Sequence, residues 1–398
     1  MRIFISTGEV SGDLQGSLLI AALKRESIAT GLDLEIVALG GEKMAFSGAT
    51  LLGDTTGIGS MGLVESLPYI WPTIKVQRQA IAYLKENPPD LVVLIDYMTP
   101  NLGIGTYMRK HLPDVPVVYY IAPQEWVWSV NMSNTSRIVS FTDKLLAIFP
   151  EEGRYYEEQG ATVRWVGHPL VDRMQNPPCR LLSRTKLGIL PDDIAIALVP
   201  ASRQQELKYL LPVIFQAAQT IQAKLPKAHF CIPLSLEKYR QPIEEAIQQY
   251  GLRATVISGQ QKEVFAAVDF AITKSGTVNL ELALLNVPQV VVYRLSPITA
   301  WIGRKILKGT IPFASPVNLM VMREIVPEFL QEEATSENIT QATMELLLNP
   351  ERRQQTLQDY QEMRQCLGEV GVCDRAAKEI LEMLPSPVGN SPTVQQPG

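Results

Sequence analysis

The sequence predicts an α/β protein with two successive parallel sheets, each covered by helices. Three observations predict this class. Short apolar runs without polar alternation recur along the chain, as expected for strands that are buried on both faces of a parallel sheet. Segments of helical periodicity separate these runs. The chain has 398 residues, which is too many for one ordinary core, so we expect at least two domains.

The first half of the chain alternates candidate strands with helical segments. The predicted strands are Arg2–Ser6, Glu35–Gly40, Leu91–Ile95, Val115–Ile121, Lys144–Ile148 and Ala161–Val166. Helices are predicted at Gln15–Arg25 and Val76–Glu86 between them. The pattern pauses at Pro169–Arg184, where three prolines indicate a connection. This half is therefore predicted to form one complete sheet with its covering helices.

The alternation then restarts after the connection. The predicted strands are Ile194–Val199, His229–Pro233, Ala254–Ser258, Phe270–Thr273 and Gln289–Val292, with a helix at Glu206–Leu225. Three helices follow at Thr335–Leu348, Arg352–Gly368 and Asp374–Met383, and the last residues are rich in Pro, Gly, Ser and Gln. We therefore expect domains at residues 1–175 and 185–334, C-terminal helices at 335–384 and a disordered tail at 385–398.

Composition narrows the possible classes of function. The net charge is −5, which disfavours a nucleic-acid binder that relies on overall positive charge. No secretory leader and no run of roughly 18 apolar residues is expected, so we predict a cytoplasmic protein. The four cysteines and three histidines are dispersed, without a disulfide framework or a zinc pattern. No metal and no cofactor are therefore predicted.

In open parallel sheets, ligands bind beyond the carboxyl ends of the strands, so the loops after strands are the informative places. After the first strand comes the segment Gly8-Glu9-Val10-Ser11-Gly12-Asp13. Its spacing differs from G-x-G-x-x-G, and Glu9 would repel a pyrophosphate, so sugar hydroxyls suit the segment better. The alternative is a tight strand–helix turn with Asp13 near the start of the helix.

Three further positions in the first half follow predicted strands. Asp96 ends an apolar strand, where a carboxylate can act as a general base toward a hydroxyl; the alternative is a turn-capping residue. Trp126 and Trp128 could line a pocket for a sugar or an acyl chain, or could simply pack in the core. His168 lies at the domain junction, where it could contact a ligand or have a structural role.

Two loops of the second half suit a nucleotide. Ser202 and Arg203 lie between a strand and a helix, where an arginine can hold a phosphate. Ser275-Gly276-Thr277 repeats this arrangement, and Glu281 one turn later could accept hydrogen bonds from the ribose hydroxyls. A capped helix start is the alternative for each loop.

Two later segments are also candidates for binding. Asn318 and Arg323 could contact the base or the phosphates, although their segment could equally be an ordinary loop and helix. Arg304, Lys305 and Lys308 lie near large apolar residues, a combination that suits an anionic membrane surface. Buried helical structure is the alternative for this last segment.

The chain resembles the lipid-A-disaccharide synthase family over about residues 1–380. The resemblance depends on an ordered set of motifs: GEVSGD, SMGLVE, PDLVVLIDYMTPN, YYIAPQEWVW, GHPLVD, LVPASR, SGTVNLELAL, VVYRLSPITAWIGRKILK and VNLMVMREIVPEFLQEE. Each motif is short, but their order and spacing are specific. Only the C-terminal tail lies outside the match.

The resemblance implies the GT-B architecture of a hexosyltransferase: two Rossmann-like domains facing a cleft, with C-terminal helices returning to the first domain. It implies transfer of 2,3-diacylglucosamine from UDP-2,3-diacylglucosamine to 2,3-diacylglucosamine 1-phosphate (lipid X). The family's base falls on Asp96 and its phosphate-binding arginine on Arg203. Acceptor binding falls on Gly8–Asp13, and nucleotide binding on Ser275–Thr277, Glu281, Asn318 and Arg323. A homodimer and peripheral association with the inner leaflet of the cytoplasmic membrane are also implied.

The chain departs from the usual family pattern at three places: Ala201 replaces glycine, Thr99 replaces a second acid, and Gln124-Glu125 replace small or hydroxyl residues. Two other interpretations of the sequence stay open. One is another UDP-N-acetylglucosamine-using transferase or epimerase of the same architecture. The other is a non-catalytic two-domain ligand-binding protein.

Overall fold

The computed structural model describes residues 1–57, 69–128, 132–201, 204–295 and 313–385. Within these residues the strands form two sheets, and every pair of neighbouring strands is parallel. Helices lie between and after the strands in the α/β alternation that the sequence predicts. The prediction of two successive parallel-sheet units is confirmed.

The first sheet has seven strands in the described part of the chain, in the order β3-β2-β1-β4-β5-β6-β7. Their bounds are β1 Arg2–Ser6, β2 Glu35–Gly40, β3 Thr50–Asp54, β4 Leu91–Ile95, β5 Val117–Tyr120, β6 Lys144–Ala147 and β7 Val163–Trp165. The central strand β4 is buried along its whole length, as its unbroken apolar run predicts.

Helices connect and cover these strands. They are α1 Glu9–Thr30, α2 Glu42–Phe46, α3 Ile70–Glu86, α4 Met98–His111, α5 Glu125–Trp128, α6 Met132–Phe141 and α7 Pro150–Glu158. Two short helices, α8 Leu170–Arg173 and α9 Arg180–Lys186, occupy the connection toward the second sheet. The sequence predicts only an irregular connection there.

The second sheet has six strands in the described residues, in the order β10-β9-β8-β11-β12-β13. Its strands are β8 Ile194–Val199, β9 Ala228–Pro233, β10 Ala254–Ile257, β11 Phe270–Lys274, β12 Gln289–Tyr293 and β13 Glu328–Leu330. Its helices are α10 Gln204–Lys224, α11 Arg240–Tyr250, α12 Gln261–Ala267, α13 Val278–Leu284 and α14 Pro316–Val321, with 3₁₀ turns at Glu237–Tyr239 and Gln331–Glu333.

The C-terminal helices are α15 Ser336–Leu348, α16 Pro350–Cys366 and α17 Val372–Leu381. Helix α17 packs on α1 beside the first sheet. Ion pairs fasten it there, among them Arg25 to Asp374 at 2.5 Å and Lys144 to Glu379 at 2.9 Å. The predicted return of the C-terminal helices to the first domain is confirmed. The domain boundaries themselves stay a prediction, and residues 386–398 of the predicted tail lie outside the described residues.

The start of α1 differs from the sequence-based prediction. The glycine-bearing segment was predicted as a loop, with the helix beginning near Gln15, but the helix begins at Glu9. Its glycines allow close packing: a Cβ on Gly12 would lie 2.0 Å from Thr7 Oγ1, and one on Gly16 would lie 2.7 Å from Met44 Sδ. Most of the predicted loop is therefore the first turns of a tightly packed helix.

Strand order places a crevice in each sheet where consecutive connections run to opposite sides. This switch point lies between β1 and β4 in the first sheet and between β8 and β11 in the second. Ligands of such sheets bind at the switch point, so the two switch points are the places to look for a candidate active site.

No helix in the described part of the chain has the length and apolarity needed to cross a membrane.

Candidate active site

Asp96 directly follows β4 at the first switch point, and the structure leaves this residue exposed. Both Asp96 (φ 45°) and Tyr97 (φ 49°) adopt the left-handed backbone conformation, which costs non-glycine residues about 1–3 kcal/mol each. The main-chain oxygen of Asp96 accepts hydrogen bonds from Asn101 Nδ2 (2.7 Å) and from the Tyr119 hydroxyl (2.8 Å). These two donors fix the turn that presents Asp96.

The same asparagine links this turn to the end of β1. Asn101 is fully buried; its Oδ1 accepts a 2.7 Å hydrogen bond from Ser6 Oγ, and its Nδ2 also lies 3.2 Å from the Ile95 oxygen. Ser6 is the last residue of β1, so the Asn101 side chain forms hydrogen bonds to both strands that border the switch point. Sequence analysis missed Asn101, although a polar residue five positions after Asp96 at the start of a helix is a usable signal.

The predicted acceptor segment lies beside the Asp96 turn. A Cβ on Gly8 would lie 2.2 Å from the Tyr97 ring, so only glycine leaves room for that ring. Glu9 has a left-handed backbone conformation (φ 64°), and Ser11 is exposed. The structure therefore brings Gly8 and Glu9 next to the turn of Asp96, while their role in acceptor binding stays a prediction.

Asp13 belongs to a different local arrangement. Its carboxylate accepts hydrogen bonds from the main-chain N–H groups of Gly41 (2.9 Å), Lys43 (3.2 Å) and Met44 (3.1 Å). These groups form the amino-terminal turn of α2, so the buried Asp13 caps that helix. Gly12, one residue earlier, is likewise buried against Thr7. The contacts of Asp13 and Gly12 are structural and give no support to their predicted contact with the acceptor.

Trp126 and His168 are joined through Phe149. The Trp126 and Phe149 ring centroids are 5.7 Å apart, and those of Phe149 and His168 are 5.4 Å apart. His168 is buried, its Nδ1 accepts a 3.1 Å hydrogen bond from the Leu170 N–H, and burial lowers its pKa to about 4. A neutral, buried imidazole suits a structural role. The backbone of Trp128 is described in the structure, but its side chain is not among the described atoms.

A buried carboxylate supports the loop after β5. Glu152 accepts hydrogen bonds from the N–H groups of Ala122 (2.8 Å), Ile148 (2.8 Å) and Phe149 (3.1 Å). Burial raises its pKa to about 7, despite these hydrogen bonds to the charged form. Glu152 thus joins the end of β5 to the start of α7. These hydrogen bonds fix the loop after β5, which lies beside Asp96.

In the second sheet, the loop Ser275–Thr277 follows β11. Ser275 Oγ donates a 2.6 Å hydrogen bond to the Ala314 oxygen, and the Gly276 N–H donates to Asn279 Oδ1 at 2.8 Å. The Gly276 N–H of this predicted nucleotide loop is therefore used inside the loop. Binding of a phosphate by this loop stays a prediction, and it would depend on other groups.

One such group is Lys274, the last residue of β11. Its Nζ lies 3.2 Å from Glu206 Oε1 and 3.3 Å from the Ser275 oxygen, and its side chain is 12% exposed. Glu206 lies in the first turn of α10, which follows β8 on the other side of the switch point. Lys274 therefore places a cation, ion-paired with Glu206, at the second crevice. Ser202 and Arg203 lie outside the described residues.

Glu281 is buried in α13 and forms an ion pair with Arg173 of α8. Arg173 Nη1 and Glu281 Oε1 are 2.5 Å apart, and the two side chains are 19% and 6% exposed. Burial raises the pKa of Glu281, and Arg173 opposes that shift. Sequence analysis missed Arg173, although it directly follows the motif GHPLVD.

Asn318 and Arg323 have other partners. Asn318 is fully buried; its Nδ2 donates to the Val326 oxygen (2.9 Å) and to Glu328 Oε1 (2.7 Å), and its Oδ1 accepts from the N–H of Ile325 (2.8 Å) and Val326 (3.0 Å). This amide has no capacity left for a ligand, which opposes its predicted contact with a nucleotide.

Arg323 pairs with two acids of α16. Its Nη2 lies 2.9 Å from Asp359 Oδ1 and also contacts Glu362. Hydrogen bonds to both carboxylates raise the pKa of Arg323. The arginine therefore holds α16 beside α14, and these contacts lend no support to its predicted role at the nucleotide.

The chain matches proteins of known family over almost its full length. Residues 3–383 match the family model described as "Lipid-A-disaccharide synthetase". The lipid-A-disaccharide synthase of Gloeothece citriformis is 62% identical over 96% of this chain and 100% of its own length. The enzyme of the same name from a Synechocystis strain is 55% identical over 96% of this chain and 98% of its own length.

The fold also has solved relatives. The crystal structure of the UDP-GlcNAc 2-epimerase from Neisseria meningitidis bound to UDP-GlcNAc superimposes with a TM-score of 0.65 at 13% sequence identity, covering 96% of this chain and 100% of that chain. At this identity the likeness concerns the fold, and it agrees with the GT-B architecture. The family model and the full-length relatives together show that the chain belongs to the lipid-A-disaccharide synthase family of glycosyltransferases.

Proposed function

We propose that this glycosyltransferase transfers 2,3-diacylglucosamine from UDP-2,3-diacylglucosamine to lipid X. The products are UDP and the β(1→6)-linked disaccharide 1-phosphate of lipid A. Membership of the family makes the chain an enzyme of lipid A biosynthesis with a nucleotide sugar as donor. The two specific lipid substrates and the roles of individual residues are the parts that we propose.

The observation that carries the mechanism is the position of Asp96. The residue is exposed at the carboxyl end of β4, at the switch point of the first sheet, on a turn fixed by Asn101 and Tyr119. A general base must be held within reach of the proton that it removes, with little freedom to move away. A strained turn that is held by hydrogen bonds from Asn101 and Tyr119 meets that requirement. A surface turn without a catalytic role would not need such support.

We infer that Asp96 takes the proton from the acceptor's 6-hydroxyl as that oxygen attacks the anomeric carbon of the donor. The new carbon–oxygen bond forms as the bond from the anomeric carbon to the diphosphate oxygen breaks. A single in-line displacement inverts an α-linked donor to a β-linked product. Gly8 and Glu9 lie beside this turn, and we propose that they and the exposed Ser11 contact the sugar hydroxyls of the acceptor.

The negative charge that develops on the departing UDP requires positive partners. Arg203 is the proposed phosphate ligand from the family resemblance, and Lys274 adds a cation at the second switch point. Ser275 and Thr277 border the same crevice, and Glu281 suits the ribose hydroxyls. We propose that no cofactor beyond the UDP-sugar substrate takes part, and no step of this mechanism uses a metal.

The test is a mass-spectrometric turnover assay of the purified chain with UDP-2,3-diacylglucosamine and lipid X, without added metal. We compare the wild type with Asp96→Asn and with Asp114→Asn. Asp114 is exposed and precedes β5, at the opposite edge of the sheet, so it serves as the matched control. Loss of a general base lowers the rate by about 10²–10⁴-fold. We expect that loss for Asp96→Asn alone, with UDP binding retained.

Other outcomes separate the alternatives. Turnover of a UDP-sugar without an acceptor, or with a water-soluble acceptor only, would identify an epimerase or a different transferase. Binding of UDP without turnover of any tested donor would favour a ligand-binding protein. Near-normal turnover by Asp96→Asn would remove Asp96 as the base while leaving the reaction established.

We further propose that the enzyme is cytoplasmic and associates with the inner leaflet of the cytoplasmic membrane, because its substrates carry acyl chains. Arg304, Lys305 and Lys308 would contact anionic headgroups; they lie outside the described residues. Charge reversal at these three positions should reduce co-sedimentation with anionic vesicles, and unchanged co-sedimentation would contradict the assignment. A homodimer, proposed from the family resemblance, is tested by light scattering.

A further inference from the structure

We propose that Arg173 is a positioning residue of the nucleotide site, which holds Glu281 in place to receive the two ribose hydroxyls of UDP. This inference rests on the proposed function, since it takes Glu281 as the ribose ligand. It adds a residue from α8, on the connection between the two sheets, to a site otherwise built from the second sheet.

The two oxygens of the Glu281 carboxylate differ in their hydrogen bonds. Arg173 Nη1 lies 2.5 Å from Oε1. Within the described residues, Oε2 makes no hydrogen bond. The guanidinium therefore fixes Oε1 but uses only one of its two lone pairs, so Oε1 and Oε2 can each accept a further hydrogen bond. A ribose diol presents two neighbouring hydroxyl donors, and an ionised, fixed carboxylate is the side chain that best accepts both.

Arg173 is itself fixed independently of any ligand. The preceding residue, Asp172, accepts main-chain hydrogen bonds from Gly371 (2.7 Å), Val372 (3.2 Å) and Cys373 (2.8 Å) at the start of α17. Helix α8 is thus pinned to the last helix of the described chain. The guanidinium reaches Glu281 from a rigid base, and this lowers the entropy cost of holding the carboxylate.

A buried carboxylate needs a nearby cation to stay ionised. Burial is the largest influence on the pKa of Glu281 and raises it, whereas Arg173 and, less strongly, Lys262 lower it. The neighbouring elements carry these further charged or titratable groups: Lys274 of β11, Tyr293 of β12, Asp172 of α8, and Glu351, Arg352, Arg353, Asp359, Tyr360, Glu362, Arg364 and Cys366 of α16. Arg173 is the group in direct contact with the carboxylate.

The experiment measures UDP affinity by titration calorimetry on the full chain from pH 6 to pH 9. The variants are Arg173→Gln, Arg173→Lys, Glu281→Gln and the control Arg364→Gln. Arg364 donates to the Ala283 oxygen (2.8 Å) and the Leu284 oxygen (3.1 Å) at the other end of α13. The control thus removes an arginine of α16 that contacts the same helix, α13, without touching Glu281. Ratios to the wild type at each pH cancel the titration of UDP itself.

We expect Arg173→Gln to weaken UDP binding about tenfold to a hundredfold at pH 6, the effect of losing hydrogen bonds to a charged group. Without Arg173 the carboxyl keeps its proton to higher pH, so the loss should shrink toward pH 9 as the group ionises. Arg173→Lys should restore most of the affinity. Glu281→Gln should bind weakly at every pH, and adding Arg173→Gln to it should cost little more.

Two results would overturn the inference. One is an Arg173→Gln affinity equal to the wild type at every pH. The other is a loss that is the same at every pH and is not restored by lysine, since that pattern indicates damage to the fold. If Arg173→Gln does not fold, Arg173→Met, which also removes the charge, carries the test in its place, and the same two results overturn the inference. A wild type that does not bind UDP would instead overturn the proposed function.

Discussion

Asn101 donates a 2.7 Å hydrogen bond from Nδ2 to the main-chain oxygen of Asp96. The contact spans a turn in which two consecutive non-glycine residues have positive φ. Such a conformation persists only where its surroundings hold it in place. The relationship therefore connects a buried amide to the placement of the proposed base.

The first prediction concerns this amide. Asn101→Ala should lower kcat about a hundredfold, because a catalytic group displaced by 1 Å loses about that much. The affinity for UDP, measured by calorimetry, should stay unchanged because the second sheet is untouched. Asn338→Ala is the control, since Asn338 Nδ2 also donates to a main-chain oxygen, that of Glu333 at 2.8 Å, but at the surface. Equal kcat values for Asn101→Ala and wild type would contradict the role of the turn.

The second prediction concerns Gly8. Gly8→Ala would place a Cβ 2.2 Å from the Tyr97 ring, and the ring and the adjoining Asp96 turn must then move. We expect kcat to fall at least about tenfold, on the same positional argument, with a smaller change in thermal stability. Gly57→Ala is the matched control, because no atom of the described residues lies within 4 Å of its added Cβ. Indistinguishable kinetics of the two variants would show that the contact is unimportant.

The third prediction concerns Asn318. Asn318→Ala removes an amide that makes four hydrogen bonds in a fully buried site. Leaving such donors and acceptors unpaired should lower the free energy of unfolding by about 2–4 kcal/mol. Urea denaturation measures the change, with Asn87→Ala as a control for a longer, 3.4 Å hydrogen bond to the Tyr83 oxygen. A variant as stable as the wild type would argue against the structural role.

The fourth prediction concerns pH. Burial lowers the pKa of His168 from 6.5 to about 4, so the unfolded chain binds this proton before the folded chain does. The free energy of unfolding should therefore fall by about 3 kcal/mol as the pH falls from 6.5 to 4. His168→Gln should lose this part of the pH dependence, whereas His111→Gln, at an exposed position, should keep it. Parallel stability–pH curves for wild type and His168→Gln would contradict the prediction.

Much of the fold could be predicted from local patterns. The bounds of β1, β2, β4 and β8 match the prediction because each contains an apolar run that is bounded by polar residues, glycine or proline. The strands β3 and β13 were missed. The first reads TLLGD and is only partly buried, and the second has three residues, so neither shows a usable period.

The candidate site was partly predictable for a related reason. Parallel strands bring their carboxyl ends to one edge of the sheet, so Asp96 and Ser275 could be placed from strand ends alone. The contact of Arg173 with Glu281 joins positions 108 residues apart, and no local pattern encodes such a pair. The hydrogen bonds of Asp13 join positions 28–31 residues apart and were missed in the same way. Those of Asn318 span 7–10 residues and depend on how the segment after α14 folds back on the helix.

Helix α17, the last helix of the described chain, packs on α1, the first. During translation, all seven strands of the first sheet therefore leave the ribosome well before α17, the helix that covers α1. At ordinary translation speeds this interval is on the order of ten seconds or more. During that time the apolar surface of α1 must be shielded by chaperones or by transient contacts. Nascent chains stalled before Val372 should therefore be more sensitive to protease than chains stalled beyond the C terminus of the helix.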